Sequence, residues 1–500
     1  MQQVLLGELI DGLREKTLTG DRATEITGLT YDSRAVRPGH LFFAIRGFKV
    51  DGHEFVPQAV AAGASAVVGE DDLSLTGAAY VRVPDSREAM ALMASRFYGE
   101  PTQRLRLIGV TGTKGKTTTT TLVRHILTYA GIKTGLIGTN VNLVGDREVK
   151  AIRTTPESLD LQALFAQMVA EGCQACVMEV ASHALVLKRV AGCEYDIGAL
   201  TNIARDHLDF HGTIENYTAA KELLFRSLGA DGGGRKPYPK AAVINADDAT
   251  AGRMAAASSV PVTTYGIDTA ADLRATDIVQ SHSGVTYTLV TGGVRVPVSL
   301  KLMGRVNVYN SLCALAVALA AGVDLDTCCA ALAAAKPVEG RFEPVDAGQP
   351  FTVIVDYAHN ESSLENLLSL ARDFARDNNG RVIVVFGCGG DRDAGKRPGM
   401  GRIAVTLADH AVVTSDNPRS EDPERIIDDI EAGIRATPNA APHDRISDRR
   451  EAIGRALQLA RRGDIVVIAG KGHETYQILR DGTIHFDDRE VVREFLSGRG

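Results

Sequence analysis

The stretch GVTGTKGKTTTTTLVRHIL, residues 109–127, decides how the chain is read. RLRLIGV (104–110), which leads into it, is short and apolar like a buried strand. Beyond the loop, Leu122, Ile126 and Leu127 recur at helical spacing, and the pattern stops at Gly131. The glycines therefore sit on a strand-to-helix turn, where backbone N–H groups and a helix N-terminus can point at an anion. Lys116 would reach terminal phosphates, and Thr117 would offer a hydroxyl to Mg²⁺. The usual P-loop opens on Gly where Val110 stands here. Gly112 instead opens a shorter form: Gly112, Thr113, Lys114, Gly115, Lys116, Thr117, followed by Thr118. An ordinary glycine turn with a solvated lysine is the bland alternative, and strand, loop and helix in succession weigh against it.

The chain has 500 residues, a prior for three or four domains. Its 44% hydrophobic and 23% charged content is that of a soluble globular protein. A net charge of −7 argues against nucleic-acid binding through bulk charge. No apolar run reaches membrane-spanning length, and MQQVLLGELIDGLREK carries acids where a signal peptide needs bases. Seven dispersed cysteines, an odd count, suit a reducing compartment, so a cytoplasmic protein without membrane insertion is expected. Cys173 and Cys176 have redox or metal spacing, but no second pair completes a zinc site and their context is a strand, so they read as buried thiols.

From LRLIGV to about residue 335, strand-like runs (KTGLIGT, ACVMEVAS, YDIGALTNIA, AAVINADD) alternate with helical patterns, as in an α/β sheet domain. DGGGRKPYP (231–239) reads as a flexible surface loop, and the alanine-rich run after Asn310 as two packed helices. After KPVEGRFEPV a second α/β series begins: FTVIVDYAH, RVIVVFGCGG, HAVVTSDNP and DIVVIAGKGHE. The sharp motifs of this series follow strands, at the sheet edge where such folds bind ligands.

MEVASHAL places Glu179 and His183 at one strand end, and TNIARDHLDFHGT places Asn202, His207 and Asp209 at the next. A carboxylate, an imidazole and a loop hydroxyl suit Mg²⁺ or Mn²⁺ beside phosphates. Lys221, in ENYTAAKELLF, reads by composition as a solvated helix lysine. Arg392, Lys396, Arg397, Asn417, Arg419 and Glu474 gather on loops above one sheet. Such a mix suits a zwitterionic small molecule, because Arg forks match carboxylates bidentately.

Taken in order from Asp32-Ser33-Arg34 to Glu474, the motifs GTKGKTT, TTP, MEVASHAL, DHLDFHG, AAKELLF, GRVNVYN, GRFE, DYAH, GCGGDRDAGKRP, DNPR and GKGHE resemble those of the Mur ligases of peptidoglycan synthesis. The resemblance implies an α/β fold of three domains, with a central P-loop ATPase sheet domain and a C-terminal Rossmann-like domain. The expected bounds are 1–102 for the uridine-nucleotide substrate, 103–336 for ATP and 337–500 for the incoming amino acid. It further implies that Gly112 to Thr118, Asn307 and Arg341 hold ATP, and that Thr117, Glu179 and His207 bind Mg²⁺. Lys221 matches the lysine that is carbamylated in the family, which would make it a ligand to a second Mg²⁺. Ser33, Thr154, Thr155, Ser182 and Arg189 should contact a UDP-N-acetylmuramoyl dipeptide. Arg392, Asp416, Asn417, Pro418, Arg419, Gly470 and Glu474 should contact the amino acid. This chain departs from the family at Ala181, Leu187, Lys114 and the NES of DYAHNES.

The implied reaction is ATP-dependent amide formation at the D-Glu γ-carboxylate through an acyl phosphate, with Lys116, Lys221 and His207 central to it. Arg419 offers a fork for the extra carboxylate of meso-diaminopimelate, Asn417 a hydrogen bond and Glu474 an acceptor for the distal ammonium. Meso-diaminopimelate is therefore expected, with L-lysine or L-ornithine as the alternative. The other partners are small molecules and the enzyme is expected to be a monomer. A folylpolyglutamate synthetase of the same superfamily, or a P-loop kinase or switch protein, are the rival readings. DNPR and GKGHE disfavour the former, and ADP release that requires both other substrates separates the latter.

Overall fold

The computed structural model describes residues 3–48, 50–229, 236–281, 284–336, 340–377 and 379–498. Residues 231–235 of the expected surface loop, and 337–339, where the C-terminal domain is expected to begin, lie outside the described residues. The chain divides into two compact units, one spanning 1–278, 287–299 and 306–334, the other 279–286, 300–305 and 335–500. Three principal sheets organise them, which gives the expected three-domain α/β class.

The first sheet, in the larger unit, runs in the spatial order Thr17–Thr19, Ala79–Arg82, Ala66–Gly69, His40–Phe43, Gly28–Thr30. The helix Ser86–Phe97 packs on it through Met90, Met93 and Ala94. Asp85 caps that helix by accepting from the Arg87 and Glu88 N–H groups.

The second sheet carries parallel neighbours in the order Thr134–Ile137, Ala175–Glu179, Arg106–Thr111, Ile197–Leu200, Ala241–Asn245, Val262–Gly266. Both faces are covered, so these strands are continuous apolar runs rather than alternating ones. Glu179 pairs in register with Val110, and Leu200 with Thr111. The segments after these three strands therefore leave the sheet side by side at its C-terminal edge. The alanine-rich run forms the helices Arg305–Ala320 and Leu325–Ala334, and Cys173 and Cys176 are buried free thiols.

The smaller unit holds the third sheet, ordered Glu343–Pro344, Thr352–Asp356, Ile465–Ala469, Val382–Phe386, His410–Val413, His443–Arg445, parallel except at its first strand. Val382, Val384 and Phe386 face a core shared with the helices Glu361–Asp377, Lys396–Leu407 and Pro423–Arg435. Ile383 and Val385 face the opposite core, shared with Arg449–Leu459 and Asp488–Leu496. This alternation follows from the two-residue period of a strand and gives a doubly wound, Rossmann-like domain. No helix among the described residues is long and apolar enough to cross a membrane.

Candidate active site

The loop 112–115 joins the strand Arg106–Thr111 to the helix Lys116–Tyr129, as the spacing predicts. Two of its glycines are required by geometry. Gly112 has φ +147°, and a Cβ there would lie 1.9 Å from Thr201 Oγ1. Gly115 caps the helix at φ +85°, and a Cβ there would lie 2.4 Å from Asn310 Oδ1. The loop is braced from the neighbouring strand end: Lys114 N–H donates to Asn202 Oδ1 at 3.1 Å, and Asn202 Nδ2 donates to the Lys114 carbonyl at 3.0 Å. Thr113 Oγ1 sits 3.0 Å from the Tyr217 hydroxyl. Thr117 and Thr118 occupy the first helical turn, where N–H groups have no partner within the helix.

Lys116 Nζ donates to the carbonyls of Gly112 and Thr113, each at 2.9 Å. Lys221 Nζ donates to the same Gly112 carbonyl at 2.8 Å and lies 4.5 Å above the Tyr217 ring. Lys221 is 1% exposed. The expectation of a solvated helix lysine is thus overturned: the helix Ile214–Ser227 turns this side chain inward under the loop. Burial, reinforced by the charge of Lys116 and opposed by Asp206, pushes its amine well below the ordinary lysine range. Burial thus favours the neutral, nucleophilic form of this amine over the ammonium.

Glu179, 1% exposed, accepts from Thr139 N–H at 2.8 Å and from Thr139 Oγ1 at 3.1 Å. The Thr154 hydroxyl lies 3.0 Å from Thr139 Oγ1 and can donate to it. Thr155 Oγ1 bridges the Glu179 carbonyl and Ala181 N–H at 2.8 and 3.0 Å. Arg189 donates to the Thr155 carbonyl at 3.3 Å and pairs with Glu157 at 3.0 Å. Ser182 Oγ lies 2.9 Å from His211 Nε2. His207 is exposed, in left-handed backbone at φ +51°, and its ring packs edge-on against His183 at 4.8 Å. His183 is held neutral, its pKa lowered to about 4 by burial first and then by His207 and His211. Asn307 accepts from Asn310 Nδ2 at 2.9 Å, which ties it to the residue beside Gly115. Ser33 is half-buried and donates to Gln58 Oε1 at 3.4 Å.

Buried Glu179 forms no ion pair with any described residue, and its oxygens, the Thr117 hydroxyl and the His207 imidazole are a donor set that fits Mg²⁺. A second cluster of ligand-type groups, Asp51, His53 and Asp71, lies in the first domain. Arg46 already pairs with both aspartates, and both His53 ring nitrogens are engaged, Nδ1 by Asp51 and Nε2 by the Glu70 N–H.

In the smaller unit the loops after the strands hold the second constellation. Asn417 Nδ2 donates to Glu474 Oε2 at 2.9 Å, and buried Asp416 faces Gly470, whose Cβ position lies 3.1 Å from Asp416 Oδ2. The hairpin Tyr476–Leu479 and Gly482–His485 clamps residues 416–419. Gln477 Nε2 donates to the Asp416 carbonyl at 2.7 Å, Ile478 N–H to Asn417 Oδ1 at 3.0 Å and Arg419 N–H to the Ile478 carbonyl at 3.1 Å. Pro418 is buried between them. Arg419 sits at φ +55°, its Nη1 donating to the Gly390 carbonyl at 2.8 Å. Burial and the nearby Asp416 raise the Glu474 carboxyl above its usual range, against the opposing Asn417 hydrogen bond. Arg392 is exposed and donates to the Asp391 carbonyl at 3.3 Å. Arg397 departs from the sequence reading. It is buried and committed to Glu421 and Asp429, each at 2.9 Å, so it is a structural cation and not a cleft residue. Arg341, in this unit, stands 5.7 Å from the Tyr357 ring centre. Sequence reasoning missed Thr139, Tyr217, Asn310 and Lys471. Of these, Asn310 carries a signal, one helical turn beyond Asn307.

Three family models match in succession: "Mur ligase family, catalytic domain" over residues 25–98, "Mur ligase middle domain" over 110–318 and "Mur ligase, glutamate ligase domain" over 340–472. A protein of Geobacillus kaustophilus named UDP-N-acetylmuramoyl-L-alanyl-D-glutamate--2,6-diaminopimelate ligase is 52% identical over 476 residues, 95% of this chain and 96% of that one. One of the same name from Solibacter usitatus is 47% identical over 501 residues, with 99% of each chain covered. A solved structure of an enzyme of that name superposes with a TM-score of 0.71 at 33% identity, covering 99% of each chain. Mycobacterium tuberculosis folylpolyglutamate synthase, at 20% identity and a TM-score of 0.56 over 76% of this chain and 92% of its own, shares the fold.

Proposed function

The chain belongs to the Mur ligase family, and from that premise we propose that it joins meso-diaminopimelate to the D-Glu γ-carboxylate of UDP-N-acetylmuramoyl-L-alanyl-D-glutamate, with ATP cleaved to ADP and phosphate. The observation that carries this reading is the pair of lysines converging on one carbonyl. Lys116 and Lys221 both bond Gly112 in a loop shaped for a polyphosphate.

The loop N–H groups and Lys116 hold the ATP phosphates, with Asn307 and Arg341 on the nucleoside side. Ser33, Thr154, Thr155, Ser182 and Arg189 hold the UDP-dipeptide, and the pocket of Asp416, Asn417, Arg419, Gly470 and Glu474 holds the amino acid. A γ-carboxylate oxygen of the D-Glu attacks the γ-phosphorus and ADP departs, leaving an acyl phosphate. The free amine then attacks the acyl carbon, phosphate departs with the C–O bond electrons, and the ammonium so formed loses a proton. The chain needs no nucleophilic side chain for this. Its task is to align anions and offset their charge with Lys116. Thr117, Glu179 and His207 would hold Mg²⁺, which supplies charge neutralisation at the phosphates when bound. The unprotonated amine of Lys221 adds to carbon dioxide, giving a carbamate and a proton, which puts an anion beside the phosphate site where a neutral amine stood.

The enzyme works as a cytoplasmic monomer, with domain limits near residues 102 and 336. ADP release measured with UDP-dipeptide and a panel of amino acids tests the proposal. Release requiring both substrates, and fastest with meso-diaminopimelate, is the expected result. Release independent of the UDP-dipeptide would overturn it in favour of a kinase or switch.

A further inference from the structure

Lys471 stands among the amino-acid loops without belonging to the set of residues assigned to them. Its side chain is fully buried, with 0% exposed. Nζ donates to Asn417 Oδ1 at 2.9 Å and to the Tyr476 carbonyl at 2.8 Å. Asp416 lies 3.5 Å from it and Glu474 4.0 Å. Burial lowers the affinity of this amine for its proton, and Asp416 opposes the shift. Gly470 at φ +122° and Gly472 at φ +54° flank it, and a Cβ on Gly472 would lie 2.7 Å from the Tyr357 Cβ.

The consequence falls on Asn417. Its amide oxygen has two lone pairs, and both are taken, one by Lys471 Nζ and one by the Ile478 N–H at 3.0 Å. An amide turned over would aim its NH₂ at an ammonium and at a peptide N–H, donor against donor. Only one orientation is satisfied, and it directs the NH₂ at Glu474. Asn417 can therefore present donors and no acceptor toward the ligand side. The nearby buried charges are Lys471, Arg449, Asp416 and Asp488, with Arg449 bonded to Asp488 at 2.7 Å, and the half-buried Glu474 and Arg419 lie toward the open side.

We propose that Lys471 is a positioning residue for amino-acid selection: by saturating the Asn417 carbonyl it fixes the amide so that its N–H groups face Glu474 and the carboxylate-bearing end of the substrate. This rests on the assignment of Asn417 and Glu474 to the amino-acid pocket.

The test is a double-mutant cycle on the full-length enzyme, read as KM for diaminopimelate with ATP and UDP-dipeptide saturating. Lys471→Met and Asn417→Ala should each raise that KM tenfold or more, with the KM values for ATP and UDP-dipeptide within twofold of wild type. The double variant should be no worse than Asn417→Ala, because residues acting through one another do not add. Multiplicative losses in the double variant overturn the proposal. A wild-type KM in Lys471→Met overturns it while the pocket assignment stands. A wild-type KM in Asn417→Ala overturns the pocket assignment instead. Should Lys471→Met fail to fold, Asn417→Asp decides. It keeps an oxygen toward Lys471 and replaces the donor facing Glu474, so the KM should rise at least tenfold. An unchanged KM in that variant overturns the proposal.

Discussion

Lys221 Nζ lies 2.8 Å from the carbonyl oxygen of Gly112, a residue 109 positions earlier in the chain. A helix lysine and the first residue of a phosphate loop thus share one hydrogen bond in a space closed to solvent. Burial first, and then the charge of Lys116 at the same carbonyl, lower the hold of the Lys221 amine on its proton.

Replacing that amine should remove most of the activity. Lys221→Ala is expected to fall by about a hundredfold or more in kcat, the scale typical of losing one charge-stabilising group at a phosphoryl-transfer site. Small carboxylic acids added to the assay should restore part of it by standing in for the carbamate. With ¹³C-bicarbonate, wild type should give a carbamate carbon resonance that Lys221→Ala lacks. Turnover in Lys221→Ala equal to wild type would refute the carbamate.

Lys116→Ala should abolish turnover and leave the fold intact. Its Nζ contacts are two carbonyls of its own loop, and the helix behind it is held by Leu122, Val123, Ile126 and Leu127 in the core. Circular dichroism should superpose on wild type while ADP release drops below a tenth. A rate above that removes Lys116 from the phosphate site.

Selection among amino acids should depend on Arg419. Its side chain is anchored through Nη1 to the Gly390 carbonyl. A hydrogen bond to a charged partner contributes roughly 1.5–3 kcal/mol, and lysine would bring an ammonium with no carboxylate to meet the guanidinium. The preference for diaminopimelate in kcat/KM should be on the order of a hundredfold. Arg419→Ala should shrink it, chiefly by weakening diaminopimelate. Equal kcat/KM for both amino acids in the wild type would contradict this.

Asp247 should govern part of the acid limb of stability. Burial pushes its carboxyl up, but N–H donors from Ile267, Thr269 and Asp268 and the Tyr309 hydroxyl outweigh it and hold the pKa at about 2. A folded pKa below the unfolded one means stability present above pH 3.8 and lost as pH falls toward 2. Discounted for solvent screening, the contribution is about 1–2 kcal/mol. Asp247→Asn should be less stable at neutral pH and show a flatter decline over that window in urea unfolding. Parallel curves for the two proteins would show that the carboxylate does not titrate this way.

The strand ends were legible because buried parallel strands leave long apolar runs, and the chemistry follows directly after them. GTKGKTT, MEVASHAL and TNIARDH each follow a strand-like run in the sequence, and the register of Glu179 with Val110 and Leu200 with Thr111 puts them at one sheet edge. What composition cannot see is which way a charged side chain faces. Lys221 looked like a surface residue because a helix face shows its partner only once the neighbouring element is known. Arg397 looked like a ligand cation because Glu421 and Asp429, which neutralise it, come from a separate helix and its lead-in loop. Lys471 stands between two glycines of GKGHE, and composition gives no sign of the Asn417 and Tyr476 acceptors that bury it.

Those two glycines also limit how the pocket can be remade. A side chain at position 470 or 472 meets strained backbone and, at 472, the Tyr357 backbone itself, so drift on that wall is blocked before selectivity can change. Arg419 is the more open position for change, because its side chain is half-buried and its backbone, at φ +55°, already carries a side chain. The pocket thus has one wall that records ancestry and one that can be rewritten.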